Sequence, residues 1–254
     1  METFISWPNL SRIYPLAEIS YSVTTSANLY GAGTALRNLP ACAYFSLAAL
    51  FDLLSAPSGF HLRKQVLAKR DSLSRSSIVS LSSAIHARLG RIPVYQSARW
   101  PLLFASFRSE ADTISIIEKR LARQQPVLLP KTLIEEKRLL VFAIKSMDDL
   151  KPGAYGILEP IESRTKQVDP AIVDLVLVPG SVFDRRGGRY GYGGGFYDRF
   201  LSTDAPNAIR IGLAFSFQVM EKILLMPHDQ LMDYVVNEKE VILCNRNQVG
   251  QDLT

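Results

Sequence analysis

The sequence predicts an α/β fold. We expect a single three-layer domain in which a mostly parallel open sheet carries helices on both faces, preceded by an irregular N-terminal extension. Three observations favour this fold. The chain has 254 residues, 47% of them apolar, which is enough for one large core. Short β-branched runs alternate with amphipathic stretches. Residues 172–178 (IVDLVLV) are the clearest strand, and Pro179 and Gly180 end it.

Residues 1–58 differ in composition from the rest of the chain. Ser, Ala, Leu and Tyr dominate, and charged residues are sparse. Three interpretations stay open: a poorly ordered extension, a targeting leader, or an artefact of the gene model. Pro57, Ser58 and Gly59 mark a boundary, so we predict an extension over residues 1–58 and an α/β domain over 59–254. The expected location is the cytoplasm, or the mitochondrion if the extension is a transit peptide.

Three helices are predicted in the first half of the domain. Residues 62–70 form a basic helix. The second helix begins at Ser74, a typical N-cap, and ends at Gly90, and Thr113 is expected to cap the third. Apolar residues at spacings of three and four predict the buried faces, which comprise Ile78, Leu81, Ile85 and Leu89 in the second helix and Ile114, Ile117 and Leu121 in the third.

The remaining strands are shorter. Residues 100–106, 127–129 and 139–144 are predicted strands before the central one, and residues 209–215, 234–236 and 241–243 follow a helix over 196–201. In a parallel sheet of this kind, ligands bind beyond the carboxyl ends of the strands.

Composition narrows the classes of ligand. A net charge of +5 and a sequence pI of about 9.2 suit nucleotides, nucleic acid or a membrane surface. No aromatic-interleaved basic stretch appears, so a nucleic-acid-binding module is the weaker alternative. The longest apolar run, residues 41–54, is too short to span a bilayer. We therefore predict that the protein binds neither nucleic acid nor a membrane. We also expect a monomer or a weak dimer. Cys42, Cys244 and the scattered histidines form no zinc or disulfide pattern.

A glycine-rich segment follows the clearest strand. Seven glycines lie in residues 180–195. The last four of them belong to residues 191–195 (the glycine loop), which directly precede the predicted helix. Glycine lets successive N–H groups form an anion nest, and a helix N-terminus favours phosphate. Three arginines, Arg185, Arg186 and Arg189, are candidates to clamp phosphate or carboxylate oxygens. A flexible surface loop is the alternative.

Carboxylates near the glycine loop suggest a metal site. Asp198 lies in the first helical turn, where it either complements the helix dipole or holds Mg²⁺. Asp229 is the candidate second ligand, and Asp233 is a weaker one because it leads into a strand.

Residues 179–200 (PGSVFDRRGGRYGYGGGFYDRF) closely match a pattern of the 5-formyltetrahydrofolate cyclo-ligase family, also called methenyltetrahydrofolate synthetases. The chain resembles this family over roughly residues 60–243. Weaker matches are residues 62–74, 107–113, 151–160 and the PHDQLMDYVVNE segment. There are departures: Gly59 stands where the family commonly has a lysine that contacts ATP phosphates, Tyr190 replaces leucine, and Asn237 replaces threonine. Gly59 motivates an alternative hypothesis, a folate- or nucleotide-binding relative that has lost catalysis.

The resemblance implies an ATP- and Mg²⁺-dependent closure of 5-formyltetrahydrofolate to 5,10-methenyltetrahydrofolate, with release of ADP and phosphate. A formamide oxygen leaves poorly, so its phosphorylation by ATP would make it a leaving group. The implied catalytic residues are Arg63, Arg189 and Tyr197. The implied ATP contacts are Arg63, Lys64, Arg189, Gly191, Tyr192, Gly193, Gly194, Gly195, Phe196 and Tyr197. The implied substrate contacts are Ala105, Phe107, Glu110, Tyr155, Tyr192 and Phe196, and the implied metal ligands are Asp198 and Asp229.

Overall fold

The computed structural model describes residues 59–244; the predictions made for residues 1–58 and for the last ten residues lie outside this range. The helices are α1 (Gly59–Asp71), α2 (Arg75–Leu89), α3 (Pro93–Ser97), α4 (Ile114–Ala122) and α5 (Phe196–Arg199). The strands are β1 (Pro101–Leu102), β2 (Val127–Leu133), β3 (Arg138–Ile144), β4 (Leu150–Pro152), β5 (Leu158–Pro160), β6 (Lys166–Val168), β7 (Leu175–Val178), β8 (Val182–Asp184), β9 (Arg189–Tyr190), β10 (Ile209–Leu213), β11 (Val219–Met220), β12 (Tyr234–Val236) and β13 (Val241–Leu243).

The main sheet has eight strands in the order β13-β12-β10-β7-β1-β2-β3-β6. Its central strands β12, β10, β7, β1 and β2 run parallel, whereas β13, β3 and β6 pair antiparallel at the two edges. The predicted α/β fold with a mostly parallel open sheet is confirmed. Strand β7 lies at its centre, as its unbroken apolar sequence indicated.

Both faces of the sheet are buried. Leu175 and Leu177 of β7 pack into one cluster with Ile85 of α2 and Ile117 of α4. The alternate residues of β7 pack into a second cluster on the opposite face, where Leu201 follows α5. Because successive side chains of a strand point to opposite faces, both sets are buried at once, and helices cover the two sides.

The predicted strand over 100–106 and the predicted capping role of Thr113 differ from the structure for physical reasons. The predicted strand over 100–106 pairs regularly only at Pro101–Leu102, because the chain then turns towards α4. Thr113 holds this turn: its hydroxyl contacts the Phe104 carbonyl and accepts a hydrogen bond from the Ser106 N–H at 2.9 Å. The side chain of Thr113 is therefore engaged and does not cap α4, although Ser74 caps α2 as predicted, by accepting from the Ser77 N–H at 3.1 Å.

The glycine-rich segment begins with a hairpin that sequence patterns did not reveal. Strands β8 and β9 pair antiparallel, and the fully buried Asp184 closes their turn. Its carboxylate accepts hydrogen bonds from the N–H groups of Gly188 (2.7 Å), Arg186 (2.9 Å) and Ile223 (3.0 Å). Asp184 thus connects this hairpin with the chain segment around Ile223, and the hairpin in turn leads to the glycine loop.

We expect Asp184→Ala to lower the free energy of unfolding by about 3 kcal/mol or more, because it leaves three donors around a buried position without their acceptor. Asp169→Ala is the matched control, since Asp169 accepts a single exposed N–H, from Ala171 at 2.9 Å. Its expected cost is about 1 kcal/mol. Urea denaturation of both variants checks the difference; equal losses would contradict this role of Asp184.

Within residues 59–244, no helix combines the length and the apolar character needed to cross a bilayer.

Candidate active site

The candidate site lies beyond the carboxyl ends of three neighbouring parallel strands, β1, β7 and β10. β1 leads to residues 107–113 (here the substrate segment), and β7 leads to the hairpin and the glycine loop. The turn after β10 contributes Gln218, whose side-chain amide donates to the carbonyls of Gly180 (3.3 Å) and Ser181 (2.9 Å). This is the edge at which ligands bind in open α/β sheets.

The glycine loop presents unpaired donors. Gly193 (φ 96°) and Gly195 (φ 66°) adopt left-handed conformations that other residues rarely take. Among residues 59–244, none accepts a hydrogen bond from the backbone N–H groups of residues 192–195. These donors stand directly before α5, so the loop has the chemistry of an anion nest.

The three arginines near the loop all face protein carboxylates. Arg185 makes a two-nitrogen pair with Glu240 at 2.9 Å, which raises the pKa of the exposed guanidinium. Arg186 lies 3.4 Å from Asp184. Arg185 and Arg186 thus contact carboxylates of the protein itself, and their predicted role in clamping a bound anion stays a prediction.

Arg189 and Asp198 form the best-buried ion pair at the site. The Arg189 Nη2 donates to both oxygens of Asp198 at 2.9 Å, and its Nη1 donates to the Pro179 carbonyl at 3.1 Å. Its side chain is only 3% exposed, and its buried Nε has no hydrogen-bond partner among the described residues. Arg189 therefore contacts the predicted metal ligand directly.

Asp198 and Asp229 lie in adjoining segments. The backbone N–H of Gln230, the residue after Asp229, donates to Asp198 at 3.2 Å. Asp229 accepts from the Met226 N–H at 2.7 Å through Oδ2, and the His228 Nε2 lies 3.8 Å from its Oδ1. No group of three or more potential ligands occurs within residues 59–244. Two carboxylates nevertheless suffice where phosphate oxygens and water complete the coordination of Mg²⁺.

Glu110 joins the substrate segment to the glycine loop. One carboxylate oxygen accepts from the Phe107 N–H at 2.9 Å, and the other accepts from the Tyr192 hydroxyl. Burial raises the pKa of Glu110 above its usual value, partly offset by the hydrogen bond from Tyr192 and by the charge of Arg70. Burial, with the neighbouring charge of Glu110, also raises the pKa of Tyr192, so its hydroxyl stays a proton donor.

A strained turn lies beside Phe107. Tyr155, in the turn between β4 and β5, has φ 58° and is 67% exposed. An ideal Cβ on the adjacent Gly156 would lie 3.8 Å from the Phe107 ring, so the two segments touch. Arg108 also has positive φ (55°) and stacks on the Phe107 ring at 5.1 Å. Non-glycine residues with positive φ cluster at ligand sites.

The two main departures from the family pattern contact each other. An ideal Cβ on Gly59 would lie 3.0 Å from the Tyr190 ring, and the Tyr190 hydroxyl donates to the Leu224 carbonyl at 2.8 Å. Arg63 lies over the same ring at 5.6 Å and donates through Nε to the Gly59 carbonyl at 3.2 Å. Tyr190 thus occupies the space beside position 59, where the family commonly has a lysine, and it also contacts Arg63.

The candidate residues are not all equally placed. Ala105 is buried, Lys64 is exposed, and Phe196 and Tyr197 are half-buried after the glycine loop. Arg70, Ser109 and Asp184 are site residues that sequence reasoning did not single out. Arg70 and Ser109 lie in segments already matched to the family, but their contacts join residues distant in sequence, which no local pattern reveals.

The family model described as the 5-formyltetrahydrofolate cyclo-ligase family matches residues 57–238. The chain is 30% identical to the 5-formyltetrahydrofolate cyclo-ligase of Saccharomyces cerevisiae, over 69% of this chain and 92% of the yeast protein. It is 27% identical to the mitochondrial 5-formyltetrahydrofolate cyclo-ligase of Arabidopsis thaliana, over 63% of this chain and 66% of the plant protein.

A solved structure resembles the chain in fold and in sequence. The NMR structure of the 5,10-methenyltetrahydrofolate synthetase from Aquifex aeolicus superposes with a TM-score of 0.64 at 33% identity. The match covers 72% of this chain and 91% of the Aquifex chain.

Proposed function

Because the chain belongs to the 5-formyltetrahydrofolate cyclo-ligase family, a family of ligase enzymes, we propose that it closes 5-formyltetrahydrofolate to 5,10-methenyltetrahydrofolate, consuming ATP in the presence of Mg²⁺ and releasing ADP and phosphate. The observation that carries the proposal is the contact between Tyr192 and Glu110. It joins a loop with the chemistry of a phosphate site to a half-buried carboxylate suited to the pterin ring, so one site serves both substrates.

The glycine loop is the proposed triphosphate site. Its unpaired N–H groups at residues 192–195 can donate hydrogen bonds to phosphate oxygens. Bound ATP supplies the phosphoryl group that turns the formyl oxygen into a leaving group. Arg63 and Lys64 on α1 are the proposed neutralising charges, with Arg63 held over Tyr190. Catalysis then depends on positioning and on charge neutralisation.

Asp198 and Asp229 are the proposed Mg²⁺ ligands, and their oxygens fit this role. Asp229 Oδ1 has no hydrogen-bond donor among the described residues, and Asp198 is shared with Arg189. Mg²⁺ held by these two carboxylates would neutralise charge on the phosphate oxygens. The side chain of Arg189 is almost fully buried. We propose that, in addition to its other roles, it holds the Asp198 carboxylate in place.

Glu110 is the proposed folate anchor. A pterin ring offers paired N–H donors, which suit a carboxylate with two oxygens held in a fixed orientation. We propose that aromatic side chains surround the ring, namely those of Phe107, Tyr155, Tyr192, Phe196 and Tyr197. The buried Ala105 is a further proposed substrate contact. The cytoplasm is the proposed location, with a mitochondrial one as the alternative.

The direct test is an assay of the purified full chain for the absorbance of 5,10-methenyltetrahydrofolate. We expect turnover with 5-formyltetrahydrofolate, ATP and Mg²⁺ together, and none when either ATP or Mg²⁺ is omitted. Formation of the product at the same rate without ATP would refute the proposal. Binding of ATP without any turnover would instead support the alternative of a relative that has lost catalysis, which the missing lysine at Gly59 motivates.

Restoring the family lysine provides a second prediction. Gly59→Lys alone is expected to leave the KM for ATP unchanged or higher, because the new side chain meets the Tyr190 ring. The double variant Gly59→Lys/Tyr190→Leu removes the obstacle and adds a charge beside the phosphates, so we expect a KM for ATP about tenfold lower than that of Gly59→Lys. Tyr190→Leu alone is the control. Equal KM values for the single lysine variant and the double variant would contradict this packing argument.

A further inference from the structure

Arg70, near the end of α1, is a buried charge without an assigned role. It is 5% exposed, and its guanidinium contacts two other segments of the site. Its Nε donates to the Ser109 hydroxyl at 3.1 Å, and its Nη1 donates to the Tyr192 hydroxyl at 2.8 Å. Arg70 therefore connects α1 with the substrate segment and with the glycine loop.

Both contacts of Arg70 lead to Glu110. Ser109 precedes Glu110 in the chain, and its hydroxyl donates onward to Asp71. The Tyr192 hydroxyl accepts from Arg70 and donates to the Glu110 carboxylate, so it relays the interaction. Glu110 is thus oriented through its backbone neighbour and through its own side chain.

The geometry requires an arginine at this position. Two different nitrogens of one planar guanidinium make the two contacts, which fixes the spacing between Ser109 and Tyr192. A lysine ammonium is a point charge on a flexible stem and does not reproduce this fork. The positive charge of Arg70 also favours the ionised form of the half-buried Glu110, because it lowers the pKa that desolvation raises.

We propose that Arg70 is a positioning residue for the folate substrate: it holds Glu110 ready for the pterin ring through Ser109 on one side and Tyr192 on the other. This inference rests on the proposed function of the site. It assigns to Arg70 an effect on folate affinity rather than on the nucleotide, because both contacts of Arg70 lead to Glu110, one through Ser109 and the other through the Tyr192 hydroxyl, whereas neither involves the backbone N–H groups of the glycine loop.

The test measures the Kd of the full chain for 5-formyltetrahydrofolate and for ATP separately, by calorimetry, so that its result does not depend on turnover. Arg70→Met is expected to weaken folate binding by about tenfold to a hundredfold and ATP binding by less than threefold. Arg70→Lys is expected to recover little of the loss. Arg75→Met, an exposed arginine at the start of α2, is the control and should match the wild type.

A mutant cycle separates positioning from general destabilisation. If Arg70 acts partly through the Tyr192 hydroxyl, the loss in Arg70→Met/Tyr192→Phe is smaller than the product of the two single losses. Should Arg70→Met fail to fold, Tyr192→Phe and Ser109→Ala each remove one of the two connections and should each weaken folate binding several-fold. Wild-type folate affinity in these variants, or equal losses for folate and ATP, would overturn the inference. Absence of turnover in a wild type that binds folate would refute the proposed function instead.

Discussion

Replacing Asp198 by asparagine is expected to slow methenyltetrahydrofolate formation by about a hundredfold to a thousandfold. The wild-type carboxylate accepts from Arg189 Nη2 through both oxygens and from the Gln230 N–H. An asparagine keeps one acceptor but turns an amide donor towards the guanidinium, and it removes the charge that faces both Arg189 and the proposed Mg²⁺. Loss of one preorganised electrostatic contact at an active site typically has an effect of this size.

Asp204→Asn is the matched control for this measurement. Its side chain is about as exposed as that of Asp198 (20% against 18%), and it also faces an arginine, but at 3.8 Å from Arg138. The control should keep nearly full activity, because exposed pairs of this kind contribute little. Single-turnover reactions followed by methenyl absorbance, at several Mg²⁺ concentrations, measure both variants. Wild-type activity in Asp198→Asn would remove Asp198 from the proposed machinery.

Replacing Glu110 by glutamine is expected to weaken 5-formyltetrahydrofolate binding by about a hundredfold. The glutamine keeps the shape and one acceptor oxygen, but it loses the charge and the second acceptor that the pterin N–H groups need. Calorimetric titration of the folate measures the change. Glu118→Gln, an exposed residue on α4, is the control and should bind like the wild type.

The same residue predicts the pH dependence of folate binding. Burial raises the pKa of Glu110, so its carboxylate protonates at a higher pH than an exposed glutamate does. Folate affinity should therefore fall with decreasing pH earlier than the usual glutamate range, and the Glu110→Gln variant should lack this acid limb. Arg70, Tyr192 and Tyr197 face Glu110, and the tyrosines have raised pKa values, so neither ionises in this range. An unchanged acid limb in the variant would assign the titration to another group.

Much of the fold was predictable because its signals are local. Residues 172–178 contain β7 (Leu175–Val178), whose apolar run predicts burial on both faces. Ser74 caps α2 because its side chain needs only the next helical turn. The predicted strand over 100–106 was too long. Its second half is held out of the sheet by hydrogen bonds of Phe104 and Ser106 with the Thr113 side chain, which lies further along the chain. The three-residue strands β8 and β4 are too short to show a period.

The candidate site was predictable in its parts but not in its connections. The glycine loop, Asp198 and Glu110 were identified from motifs. The bond of Tyr192 to Glu110 joins residues 82 positions apart, and that of Arg70 to Tyr192 joins residues 122 apart. The first contact arises only when β1 and β7 become neighbours in the sheet, and the second only when α1 packs beside the glycine loop. The packing of Tyr190 against Gly59 also joins residues that are distant in sequence. It shows that these two departures from the family pattern lie at one place in the structure.

The central claim is that this site uses ATP to activate the formyl oxygen of the folate. Its most direct test is a reaction of the full chain with 5-formyltetrahydrofolate that carries ¹⁸O in the formyl group, in the presence of ATP and Mg²⁺. We predict that methenyl absorbance rises in step with phosphate release, with one labelled oxygen in each phosphate. Product formation with unlabelled phosphate would contradict the account, as would the absence of product while both substrates bind.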